Sequence, residues 1–139
     1  MEQITVTTNR RAVVRSWPQH ASSVRVARDE LRKVLADWGL GTIEDAATLV
    51  LSELLTNAMV HTQMPRDWKI VTQFAPRVNG VRIAVDDVGS ARPKASDADE
   101  EGGFGLLLVN QYSDDWGVTD RNRAGKSVWA VLTAGEGRA

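Results

Sequence analysis

The most informative absence in this 139-residue chain is cysteine, which does not occur, so disulfide bonds and thiolate metal sites are excluded. No apolar run approaches the roughly 20 residues of a membrane helix, and the first eleven residues lack the apolar middle of a signal peptide. The chain has 17 basic and 18 acidic residues, so its formal net charge is only -1. We therefore expect a cytoplasmic protein with no membrane partner and no direct attraction to nucleic acid.

The hydrophobic pattern predicts one α+β domain over residues 1–139, with its core at about residues 11–133. Apolar spacings of three and four predict helices after the serines at 22 and 23, from Thr42 to His61, and over residues 104–113. The predicted strands are residues 5–8, 11–17, 67–76, 80–89, 116–122 and 126–134. Together these elements predict a two-layer sandwich, with an antiparallel or mixed sheet covered on one face by helices.

Three polar residues, Glu53, Asn57 and His61, follow one another at intervals of four on the second predicted helix. On a wheel of about 100° per residue they fall among apolar neighbours, away from a separate polar stripe. A carboxylate buried there needs a partner, a water-filled pocket or a ligand. A structural network is the alternative. We favour that alternative for His61, as a helix cap, and a functional site for Glu53 with Asn57.

Asp87 is the last residue on the buried side of the strand predicted for residues 80–89. By alternation it shares the face of Val81, Ile83 and Val85, which places it toward the helix layer. A carboxylate there can accept a hydrogen bond from an exocyclic amine such as that of adenine. An aspartate before Val-Gly is also common in ordinary turns, and that alternative stays open.

Three glycines, Gly102, Gly103 and Gly105, precede the third predicted helix. Glycines expose backbone amides, and a helix N-terminus attracts negative charge, so phosphates are suitable ligands. A flexible hinge is the alternative explanation. The segment fits neither a Walker loop nor a dinucleotide fingerprint, because the required lysine and the preceding strand are missing.

Taken in order, the Glu-x-x-x-Asn helix, the Asp-x-Gly strand end and the Gly-x-Gly-Leu helix start resemble the N, G1 and G2 boxes of the GHKL ATPases, which share the Bergerat-type fold. Further stretches, "LVLSELLTNAMVHT", "GFGLLLVNQYSDDWGV" and "GKSVWAVL", resemble the small bacterial branch of anti-sigma-factor serine kinases. The resemblance covers roughly residues 11–132.

The resemblance implies an ATP site that uses Mg²⁺. In it, Asn57 would bind the Mg²⁺ that bridges the phosphates, and Glu53 would be the general base for the attacking hydroxyl. Asp87 would bind the adenine amino group. We expect Asp87→Asn to weaken adenine recognition and to leave the fold intact.

The same resemblance assigns further contacts with the nucleotide. Gly89 would let the base lie close, and Gly103 and Gly105 would present backbone amides to the phosphates. Leu106 belongs to the same glycine box. Ser127 matches a position that often carries a hydroxyl near the base pocket.

The implied function is ATP-dependent phosphorylation of a serine or threonine on a STAS-type anti-anti-sigma protein, by a homodimer that also sequesters a sigma factor. The loop after Asp87 departs from the pattern, because its cations lie only near its start and acids follow. These residues are Arg92, Lys94, Asp97, Asp99, Glu100 and Glu101. Two alternatives therefore stay open: a nucleotide-binding module without phosphate transfer, and a GHKL-type domain with a partner outside the sigma-factor system.

Overall fold

A computed structural model of the protein describes residues 11–61, 65, 67–87, 103–120 and 125–135, with the side chains of 103–106 and 120 left out. The elements, in chain order, are β1 (Val13–Trp17), α1 (Ala21–Asp37), a short 3-10 turn (Gly41–Ile43), α2 (Glu44–His61), β2 (Ile70–Arg77), β3 (Gly80–Asp87), α3 (Gly103–Tyr112), β4 (Asp115–Asp120) and β5 (Lys126–Thr133). The strand predicted for residues 5–8 and the loop at 88–102 lie outside the described residues.

The five strands form one sheet in the order β1-β2-β3-β5-β4, and every neighbouring pair is antiparallel. The predicted α+β sandwich is therefore confirmed, and of the two predicted sheet types the antiparallel one is observed. Strand β5 enters between β3 and β4, so the end of β3 lies next to the start of β5.

The hydrophobic core lies between the sheet and the helices. Strand β3 contributes alternate residues to it, which are Val81, Ile83 and Val85. Helix α2 packs between α1 and α3 and also contacts β3 and β5. Because the core side of β3 faces α2, polar residues at the end of that side lie at the interface of the two layers.

The helix predicted from Thr42 begins two residues later, because the 3-10 turn comes first and α2 starts at Glu44. The Glu44 carboxylate accepts from the Arg32 guanidinium at 3.0 Å and ties the start of α2 to α1. Among the described helices, none is both long and apolar enough to cross a membrane.

In the hairpin between β2 and β3, the two central turn residues are not Asn-Gly, although the sequence contains that pair. Arg77 pairs with Gly80, so Val78 and Asn79 form the turn, and Asn79 has a φ of 58°. Gly80 is instead the first residue of β3, where an added Cβ would lie 2.9 Å from the Thr133 Cα. The glycine is needed for the close approach of β5.

Candidate functional site

The polar row on α2 lies at the rim of the core. Glu53, Asn57 and His61 are all half-buried, and His61 is the last residue of the helix. The buried arc of α2 is centred instead on Leu51, Leu54 and other residues that face the sheet and α1. The expectation that the Glu53 carboxylate is buried among apolar residues is therefore corrected to half-burial, because the core covers only the adjoining side of the helix.

The rim position changes the physical argument for a site. A half-buried carboxylate keeps part of its hydration, so Glu53 does not carry the full cost of burial that a core position would impose. Within the described ranges, the side chains of Glu53 and Asn57 have no hydrogen-bond or ion-pair partner. One helical turn apart on one face, they bring a carboxylate and an amide to the rim of the core.

Asp87 is the last residue of β3 and is only 1% exposed. The prediction from strand alternation is confirmed, since Val81, Ile83, Val85 and Asp87 are all buried on the face that α2 covers, whereas Asp86 is half-buried. An acidic group in that position requires a compensating partner.

One partner of Asp87 is Lys126, the first residue of β5. Its Nζ donates to Asp87 Oδ2 at 2.8 Å, and the lysine is itself only 4% exposed. The strand register places Lys126 directly opposite Asp87. Gly125 precedes it with a φ of 103°, a conformation that L side chains rarely adopt. This glycine lets the chain enter β5 with the lysine on the core side.

Sequence reasoning missed Lys126, although a signal was present. Lys126 has the same parity as Ala130 and Leu132, which are core residues of β5. A lysine on the apolar face of a strand is almost never fully buried without a counter-charge. That parity was enough to predict an acidic neighbour.

Ser127 lies one position further along β5 and is buried at 8% exposure. The register pairs it with Asp86, whereas Lys126 pairs with Asp87. Alternation therefore directs Ser127 and Lys126 to opposite faces of the sheet. The strand register therefore places Lys126, rather than Ser127, on the face of Asp87.

The glycine box falls at the start of α3. Gly103 is the first residue of the helix and Gly105 lies in its first turn, which confirms the third predicted helix. Backbone N–H groups in a first turn have no partner within their own helix, and the helix dipole favours an anion there. The Leu106 side chain, Gly102 and Gly89 lie outside the described residues.

Together these residues offer distinct chemistries in elements that contact one another: Asn57 and Glu53 on α2, a buried acceptor and donor at the end of β3 and start of β5, and the N-terminus of α3. An oxygen ligand for a cation, a polar acceptor for a base and an anion site are groups that suit a purine nucleotide with its phosphates. Among the described residues, no group of three or more His, Cys, Asp or Glu could hold a metal by itself. Mg²⁺ in such sites is usually held by one or two protein oxygens together with phosphates, a role that the Asn57 amide oxygen fits.

The family model of the histidine kinase-like ATPase domain matches residues 17–132 of the chain. The matched range contains every residue of the candidate site, from Glu53 to Ser127. No curated protein matches the sequence.

Proposed function

The chain belongs to the histidine kinase-like ATPase domain family, and on that premise we propose that it is an ATP-dependent serine/threonine kinase that also acts as an anti-sigma factor. Membership supports ATP binding and kinase-like chemistry of the GHKL type. Helix α2 carries the Glu-x-x-x-Asn motif and α3 begins with the Gly-x-Gly-Leu motif. The resemblance of these two helices and of β5 to the anti-sigma serine kinases supports the serine/threonine kinase and anti-sigma roles.

One observation carries the catalytic part of the proposal. Glu53 and Asn57 lie one turn apart on the same face of α2, half-buried and without partners in the described part of the chain. Simple nucleotide binding requires the amide but not the carboxylate. A base next to a metal ligand is the combination that phosphate transfer to a hydroxyl requires.

Mg²⁺, when bound, neutralises charge on the phosphates and orients them. Asn57 supplies a neutral oxygen to that ion, so it adds no repulsion against the phosphates. The backbone amides of Gly103 and Gly105 add donors at the positive end of the α3 dipole.

The base pocket of the proposed site is built on Asp87, whose carboxylate accepts from the exocyclic amine of adenine. Burial excludes water from this contact and makes the choice of base more selective. Gly89, Leu106 and Ser127 remain predictions from the resemblance.

In the proposed reaction, Glu53 accepts the proton of a serine or threonine hydroxyl on a STAS-type anti-anti-sigma protein. The hydroxyl oxygen forms a bond with the γ-phosphorus, the bond to the bridging oxygen breaks, and ADP leaves. A homodimer of the chain would hold a sigma factor until the STAS-type protein competes for it, so partner exchange is the regulatory switch.

The test is phosphate transfer from ATP labelled at the γ-phosphate, with Mg²⁺, to purified STAS-type proteins encoded in the same genome. We expect one of them to acquire phosphate on a serine or threonine, located by mass spectrometry. Stable complexes without transfer would favour the binding module that transfers no phosphate. Neither transfer nor complex formation with any STAS-type protein would contradict the sigma-factor role.

A further inference from the structure

Helix α3 begins with the proposed phosphate-binding amides, yet few side chains attach it to the rest of the fold. Among its described side chains, Val109 is fully buried at 0% exposure, and the others are half-buried or exposed. The helix packs on α2, and its main contact with the sheet is with the edge strand β4. Its orientation therefore depends on a small number of contacts.

One of these contacts is a hydrogen bond between α3 and β4. The indole Nε1 of Trp116 donates to Asn110 Oδ1 at 3.0 Å, and no other side-chain hydrogen bond joins the described side chains of α3 to the rest of the protein. Trp116 pairs with Ala130 on the helix side of the sheet, where its ring packs against the core. Because the core holds the ring, the bond fixes Asn110 relative to the sheet.

The connection that follows α3 is itself fixed to β5. The Asp114 N–H donates to the Val131 carbonyl at 2.8 Å, and Asp114 Oδ2 accepts from the Thr133 N–H at 2.8 Å. This anchor holds the end of the helix in place, but a single point does not set the direction of a helix axis. The bond at Asn110, about one turn earlier, supplies a second point.

A small tilt at this end of α3 becomes a large displacement at its first turn. Gly103 precedes Asn110 by seven residues, which corresponds to about 10 Å along the helix. A tilt of about 10° would therefore move the first turn by about 2 Å. Such a displacement breaks a hydrogen bond to a phosphate oxygen, because N–H···O bonds are confined to donor–acceptor distances of about 2.7–3.2 Å.

We propose that Asn110 and Trp116 are positioning residues of the nucleotide site: their hydrogen bond sets the tilt of α3 and thereby places the N-terminal amides of the helix against the phosphates. This proposal rests on the proposed function, because it assumes phosphates at Gly103 and Gly105. The alternative is a bond that only stabilises the turn between α3 and β4. The two explanations differ in what a substitution does to the phosphate part of the binding affinity.

The experiment measures the affinity of the full chain for ADP with Mg²⁺, by calorimetry, and for adenosine, by ligand-detected NMR. Adenosine lacks phosphates, so the ratio of its dissociation constant to that of ADP measures the phosphate contribution. In Asn110→Ala we expect this ratio to fall by about 3–10-fold, the usual worth of one hydrogen bond, while the affinity for adenosine stays within about twofold. Alanine forms helices better than asparagine, so a weaker helix does not explain such a loss.

Three further variants separate positioning from local stability. Asn110→Asp keeps an acceptor for the indole N–H and should keep the parental ratio, since its charge is about 10 Å, one Debye length, from the first turn. Trp116→Phe keeps an aromatic ring without the donor and should behave as Asn110→Ala does. Gln111→Ala is the matched control, because Gln111 is the next residue of α3 and is exposed. Urea unfolding of each variant shows that it is folded under the binding conditions.

Two results would overturn the proposal. One is a parental ratio in both Asn110→Ala and Trp116→Phe, whatever their stability, because the bond would then act only on the turn. The other is an equal loss of affinity for adenosine and ADP, since the position of the amides affects the phosphates alone. A parent that binds ADP no more tightly than adenosine would instead refute the phosphate site of the proposed function, and this proposal with it.

Discussion

Replacement of Glu53 by glutamine is expected to reduce phosphate transfer by about 10²–10⁴-fold, the usual contribution of a general base. Glutamine has nearly the same shape, but its amide does not accept the proton of the attacking hydroxyl. The affinity for ATP with Mg²⁺ should change by less than about threefold, because the lost interaction belongs to the transition state.

Because of the location of Glu53, an effect of the substitution on transfer can be separated from an effect on stability. The side chain is half-buried at the rim of α2 and has no partner among the described residues, so Glu53→Gln should change the free energy of unfolding by less than about 0.5 kcal/mol. Asp45→Asn is the matched control, because Asp45 is an exposed carboxylate on the same helix. Transfer at the parental rate in Glu53→Gln would show that the carboxylate is not the base.

The second large effect concerns the Asp87–Lys126 pair. We expect Lys126→Met to lower the free energy of unfolding by about 3–5 kcal/mol, because it leaves the Asp87 carboxylate buried without its counter-charge. The double variant Asp87→Leu/Lys126→Met should recover most of this loss, since neither charge is then buried. Urea unfolding followed by circular dichroism measures both.

An exposed ion pair provides the control for the burial argument. The Arg15 guanidinium and the Glu30 carboxylate are 3.1 Å apart, with side chains 50% and 25% exposed. Glu30→Gln should therefore cost less than about 1 kcal/mol. If Lys126→Met were no more costly than Glu30→Gln, the lysine would not be holding a buried carboxylate.

The same pair changes what is expected of Asp87→Asn. From the sequence alone, this variant should lose adenine recognition and keep its fold. In the structure it would leave Lys126 without its charged partner in a buried position. A loss of stability is therefore expected together with the loss of binding, and affinity must be measured on protein shown to be folded.

Elements of this fold could be predicted because their signals are local. Alternation in residues 80–87 predicts both the strand and the burial of Asp87, and apolar spacing predicts α1 and α2. The 3-10 turn at Gly41–Ile43 was not predicted, because the hydroxyl and acid after Leu40 also fit the start of an α-helix. Patterns of this kind identify an element more reliably than its first residue.

The parts of the site that sequence reasoning missed depend on distant contacts. Lys126 is 39 positions from Asp87, and only the pairing of β3 with β5 brings them together. A helical wheel likewise gives the angular positions of Glu53 and Asn57 around α2. It does not give how much of the helix circumference is covered by the core. That coverage is set by how α1, α3 and the sheet pack on α2.

The most direct test of the account is calorimetric titration of the protein with ATP, with and without Mg²⁺, beside Asn57→Ala. Thr56→Ala is the control, because Thr56 is an exposed neighbour on α2. The account predicts binding that Mg²⁺ strengthens in the parent and in Thr56→Ala, and that loses its Mg²⁺ dependence in Asn57→Ala. No binding of ATP to the parent at millimolar concentration, or the same Mg²⁺ dependence in Asn57→Ala, would contradict it.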